Sequence, residues 1–144
     1  YRQLTDDKGK KFPDFKNLSK KWSTGAEYIA LYPNVLLGAH RDHAYAIILL
    51  PLSFSETIEN VHIYYSQPDT SSSLKKKNKD QWKEVFEEDI FVVEGMQAGR
   101  LGIKFDGGRF SPKMDEPTHC FHDWVASKVN DFRNNNHQIT NVTK

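Results

Sequence analysis

A chain with a single cysteine has to hold itself together by packing alone, and Cys120 is the one cysteine among these 144 residues. No internal disulfide framework can form, so secretion is not suggested. A four-cysteine zinc site is excluded. So is an iron–sulfur cluster held by this chain, because even a Rieske centre takes two Cys and two His. What remains is a hydrophobic core, and ~150 residues suffice to remove about two-thirds of the unfolded surface. Apolar residues make up 38% of the chain, which excludes a disordered or collagen-like polymer. The length predicts a single domain over residues 1–144. Lys+Arg 20 against Asp+Glu 19 leaves a net charge of +1, so no global field gathers nucleic acid or an anionic membrane. The apolar stretches Tyr28–Ala39 and Ala44–Phe54 are too short to span a bilayer. The chain begins at Tyr1 and has no signal-peptide pattern. This predicts a cytoplasmic protein, either processed or an excised piece of a longer one.

Periodicity divides the chain. Phe12, Phe15, Leu18 and Trp22 recur at three and four, which predicts a short helix or a wrapping segment, and Pro13 places any helix start there. Glu27–Tyr32, Val35–His40, Tyr45–Leu50 and Val61–Ser66 are short runs rich in β-branched, Leu and aromatic residues, separated by turn signals. They predict an antiparallel sheet of three or four strands, with one face of Val61–Tyr65 wet. Gln67–Lys79, with Ser71–Ser73 and Lys75–Lys77, reads as an exposed loop. Trp82, Phe86, Asp89, Val93 and Met96 form one stripe and predict a helix over Asp80–Gln97, started by Asn78 or Asp80 and ended by Gly99. Leu101–Phe105 and Arg109–Ser111 flank Asp106-Gly107-Gly108 and predict a hairpin that extends the sheet. A second helix is expected over Thr118–Phe132, with Phe121, Val125, Val129 and Phe132 as its apolar stripe, followed by a frayed Asn134–Lys144 tail.

Asp89 is the most informative residue, because it lies in the middle of an apolar stripe. A buried carboxylate costs several kcal/mol unless it is paired, protonated or metal-bound. The residue is therefore a structural ion pair, the mark of a rotated helix, or a metal or catalytic carboxylate. His40-Arg41-Asp42-His43 reads as a polar hairpin tip, with metal binding as the other possibility. His119 and His122 share a helix face, with His122 as a partly buried structural residue. Cys120 lacks a base and reads as core packing.

The stretch from Trp82 to Gln97, with Glu88-Asp89, Glu94 and Gln97, is followed by Gly107-Gly108-Arg109-Phe110-Ser111-Pro112 and Phe121-His122-Asp123-Trp124. Together these resemble the C-terminal end of the catalytic domain of Rieske-type ring-hydroxylating oxygenase α subunits. Tyr32-Pro33-Asn34-Val35-Leu36-Leu37, Pro51-Leu52 and Tyr64-Tyr65 add to the resemblance and look most like the choline, carnitine and glycine-betaine branch. It covers roughly Ala26–Val129. It implies an α+β helix-grip (START/Bet v 1-like) fold, a curved antiparallel sheet packed on a long helix. It also implies a mononuclear non-haem Fe(II) held by two His and one carboxylate, the carboxylate mapping to Asp89 with Glu94 as the later acid. Such a facial triad suits oxygen activation.

The Cys-x-His and Cys-x-x-His pairs of a Rieske domain are not in this sequence. Nor is the His-containing helix that supplies the other two ligands; His40, His43, His62, His119, His122 and His137 do not match it. The resemblance thus implies the last part of such a subunit. Its parent would carry a [2Fe-2S] cluster, take electrons from a reductase or ferredoxin, use O2 to hydroxylate an aromatic or quaternary-amine small molecule, and assemble as a homotrimer. The chain alone is expected to be inactive. Trp82, Phe86 and Val93, with the inner sheet face, are expected to enclose the substrate. A stand-alone helix-grip module that binds an apolar ligand without chemistry is the alternative reading, and an assembly domain is a third.

Overall fold

The computed structural model describes residues 3–142, with side chains through residue 134. The chain divides into two compact units, Tyr1–Ile103 and Lys104–Lys144. The first contains four strands, β1 (Glu27–Leu31), β2 (Val35–Ala39), β3 (His43–Pro51) and β4 (Thr57–Tyr65), and one long helix, α1 (Ser72–Arg100). The second contains α2 (Glu116–Val142). The result is an α+β protein of the helix-grip class.

The strands form an antiparallel meander in the order β1-β2-β3-β4. Tight connections make this possible. Asn34, in the β1–β2 turn after a cis Tyr32–Pro33 peptide, locks onto β3: its side-chain amide donates to the Leu49 carbonyl, and its own carbonyl accepts from the Leu49 amide, each at 2.9 Å. The β2–β3 turn closes when the His40 amide donates to the His43 carbonyl at 2.9 Å. Alternation then sorts the faces. Tyr45 and Ile47 of β3 point inward with Ile63 and Tyr65 of β4, while Tyr64 and Ile58 face outward and stay exposed.

Trp82 of α1 lies on Tyr45 and Ile47, and Leu49, Ile63 and Phe86 pack around this centre. Gly38 of β2 is the enabling residue. It sits opposite Tyr45, and a Cβ there would stand 2.3 Å from the Tyr45 ring. That ring is also held edge-on by Trp82 at 4.7 Å and Phe86 at 5.5 Å, so it has nowhere to retreat.

The N-terminal segment wraps rather than forming a long helix; its helical content is one 3-10 turn, Lys20–Trp22. Phe12 is buried and stacks on Tyr65. Asp14 grips the Arg41 guanidinium through both carboxylate oxygens, and this partner holds its carboxyl below the usual carboxylate range. The Ser66 hydroxyl donates to the Pro13 carbonyl.

Several sequence expectations change. The lysine run is helix rather than loop, because Ser71 caps α1 by accepting from the Leu74 amide, earlier than Asn78 or Asp80 would; lysines propagate a helix well. At the other end Gly99 lies within α1, whose last turn tightens through Leu101 and Gly102 amides donating to the Ala98 and Gly99 carbonyls. No strand forms over Leu101–Ser111. Gly107 does take the left-handed region, at φ 89°, but Phe110 packs edge-on against His119 and His122 of α2, which substitutes a local contact for strand pairing. Cys120 and His122 are exposed, not packed in a core. The helix of the second unit continues past Phe132 to Val142.

Replacing Gly38 by Ala is expected to destabilise the first unit by ~1–3 kcal/mol, the usual result of overpacking. Urea unfolding followed at Trp82 checks this, and an unchanged midpoint would contradict the packing described.

Candidate functional site

The first half of α1 is fastened to the sheet by a buried relay. The Trp82 indole N–H donates to His43 Nε2 at 2.8 Å. That acceptor must be unprotonated, so the proton of a neutral ring sits on Nδ1, which lies 2.7 Å from Asp42 Oδ1. Asp42 and His43 are both fully buried. His40 stacks on His43 with ring centroids 4.7 Å apart and planes 3° from parallel. The hairpin-tip reading of His40–His43 is thereby corrected: the turn exists, but the N-terminal segment and α1 bury three of its four residues, and Arg41 holds the strap. One sequence signal was available. Turns are dominated by Gly, Pro, Asn, Asp and Ser, and this one flanks its Asp with two imidazoles.

Burial drives His40 down to about pKa 4, reinforced by His43 and opposed by Asp42. The Tyr65 hydroxyl, pushed up by burial, remains a donor to the Lys75 carbonyl at 3.2 Å.

Between β4 and α1 lies a cavity of about 620 Å³, within the range of small-molecule sites. Its apolar walls are Val61, Ile63 and Tyr65 of the strand and Trp82, Phe86 and Ile90 of the helix. Trp82 and Phe86 therefore do face a cavity beside the sheet. Val93 does not line it and is 62% exposed. Glu94 is exposed too.

Asp89 lies two helical turns beyond Trp82, on the same side of α1. It is exposed, which corrects the expectation of burial. The sheet covers the stripe only through Phe86; Val93 and Met96 continue it uncovered. The described residues do not by themselves fit a resident iron: Asp89 is one carboxylate, and among them no three His, Cys, Asp or Glu side chains gather. Among the described residues no helix is long and apolar enough to cross a membrane.

A four-stranded antiparallel sheet gripping a long helix, with an apolar cavity between them, defines a ligand-holding class of fold. The chain belongs to the ring hydroxylating alpha subunit (catalytic domain) family, whose model matches residues 2–131. No curated protein and no solved structure matches it.

His40 gives the site a measurable acid dependence. Its folded-state pKa is below the ordinary 6.5, so in the interval between them the unfolded chain binds the extra proton. Stability is then fully present above about pH 6.5 and is lost as pH falls toward 4, by up to about 3 kcal/mol. Unfolding midpoints should fall across that interval, and His40→Gln should flatten the slope. An equal slope in the variant would remove His40 as its cause.

Proposed function

We propose that this chain is the C-terminal part of the catalytic domain of a Rieske-type oxygenase that uses O2 to hydroxylate a small apolar molecule. The observation that carries the reading is the family match across residues 2–131. Asp89 enters through the sequence resemblance rather than through its surroundings, since it is exposed on the far half of α1. In this reading Asp89 is the carboxylate offered to a mononuclear iron, and two imidazoles come from residues outside this chain. The bound iron would supply oxygen activation. In the parent, a [2Fe-2S] cluster would supply the electrons, from a reductase or ferredoxin, and the subunit would assemble as a homotrimer.

The chain's own residues have plainer tasks. Trp82 and Phe86, stacked at 5.5 Å, give the substrate a flat apolar wall and exclude water from it. The Asp42–His43–Trp82 relay fixes the orientation of that wall. The uncovered Val93 and Met96 wait for the rest of the domain, since large apolar patches mark surfaces that bury against something.

In the full-length subunit, Asp89→Ala should abolish iron occupancy of the mononuclear site and leave the cluster's visible spectrum intact. Full iron content and activity in that variant would return Asp89 to a solvated surface acid. Phe86→Ala should shift the ratio of O2 consumed to product formed by severalfold, as well as lowering stability by about 3 kcal/mol. A normal substrate profile with unchanged coupling would remove Phe86 from the substrate wall.

A further inference from the structure

The edge of the cavity is charged in one sense more than the other. Lys75, Lys79 and Lys83 follow each other at four-residue intervals along α1, and all three face the cavity with Lys76. Like charges four apart on a helix repel by ~0.2–0.5 kcal/mol per pair, so such a row needs something to neutralise it. Two of the four are already matched. Lys76 pairs with Asp80 and Lys83 with Glu87. Lys75 meets only neutral groups: its ammonium donates to the Pro68 carbonyl at 3.0 Å and lies over the Tyr65 ring at 5.6 Å. Lys79 makes no ion pair among the described residues. The cavity's other acid, Glu59, makes no ion pair among the described residues. It is six residues along β4 from Tyr65, and Tyr65 is the residue that touches Lys75. The cavity is thus polarised. Lys75 stands at the Tyr65 end with no carboxylate partner, Lys79 follows one turn along α1, and the indole and phenyl rings of Trp82 and Phe86 continue the helix wall toward Ile90.

We infer that the ligand of this cavity is an apolar molecule carrying a carboxylate or similar anion, with the anion held between Lys75 and Lys79 and the apolar body laid along Trp82 and Phe86. The inference deepens the proposed function, on which it rests for calling the ligand a substrate. Trp82 and Phe86 alone would accept a trimethylammonium group by cation–π contact. The lysine-rich edge weighs against it, because four of the cavity's six charged side chains are cationic and repel a further cation that enters past them.

Three probes of one shape separate the cases: 4-phenylbutyrate, 4-phenyl-1-butanol and (4-phenylbutyl)trimethylammonium. Each is titrated into the purified 144-residue chain and followed at the Trp82 indole N–H resonance. The carboxylate should bind about five- to tenfold tighter than the alcohol, as expected for two exposed charge pairs, and the ammonium weaker than either. The carboxylate's advantage should shrink as salt is raised. Lys75→Gln with Lys79→Gln should reduce it to about twofold at most while leaving alcohol binding unchanged; both side chains lie at the surface, and an unperturbed spectrum elsewhere checks the fold. The inference is overturned if the alcohol or the ammonium equals the carboxylate, if the double variant keeps the full advantage, or if none of the three binds. Turnover by the full-length subunit is scored apart. Carboxylate selectivity without any hydroxylation keeps the ligand class and ends the oxygenase reading. Hydroxylation of a cationic substrate that ignores both lysines does the reverse.

Discussion

The hydrogen bond from the Trp82 indole to His43 is the contact on which the arrangement turns. It joins residues 39 apart in sequence and ties α1 to the start of β3. It works because the His43 ring is satisfied at both nitrogens. The imidazole spends one nitrogen on Trp82 and the other on Asp42, so neither faces a void, and groups this deep cost ~1–3 kcal/mol each when left without a partner. The relay also fixes the rotation of α1 about its own axis. With Trp82 pinned, Phe86 falls on Tyr45, Lys79 falls at the cavity edge, and Asp89 falls clear of the sheet.

Fixing that rotation shapes the chemistry on offer. A helix rolled by one residue, 100°, would replace the aromatic wall of the cavity by Lys83 and Glu87. The N-terminal strap reinforces the same registration from the other side. Asp14 holds Arg41, Arg41 sits between His40 and Asp42, and the buried turn beneath them cannot swing outward. Gly38 matters for a related reason: the absent side chain is the space in which Tyr45 stands, and Tyr45 is the floor under Trp82.

The four strands are legible from alternation and turn residues, although β4 begins at Thr57, four residues before the Val61 start that the sequence predicts, and β3 begins at His43 rather than Tyr45; α1 is legible because its stripe repeats at three and four. The start of α1 is not. A serine–lysine run has loop composition, and what makes it helical is the single hydrogen bond of the Ser71 cap. The Leu101–Ser111 hairpin had the right turn residues, with Gly107 in the left-handed region, but turn chemistry supplies no partner strand, and Phe110 found α2 instead. Trp82 and Phe86 were identified at the cavity because large aromatics on a core stripe have few other places to go. Val93 was not distinguishable from them by pattern, since periodicity tells which side a residue is on and not how far the covering sheet extends. The same limit misled the reading of Asp89 as buried. Burial of His40, Asp42 and His43 was hidden because it depends on a strap residue 27 positions away.

The uneven cover of α1 has a consequence for how changes in this helix are to be interpreted. From Leu74 to Phe86 the helix is a fastener: Leu74, Asn78 and Trp82 are buried, and a substitution there is expressed first as loss of folded protein. From Asp89 onward it is uncovered by the sheet, and most replacements there leave the fold of the first unit intact. Harmful variants of one continuous helix therefore sort into two kinds. Those in the first half are recoverable by lowering the temperature or adding stabilising changes elsewhere. Those in the second half are not, because the protein that carries them is already folded.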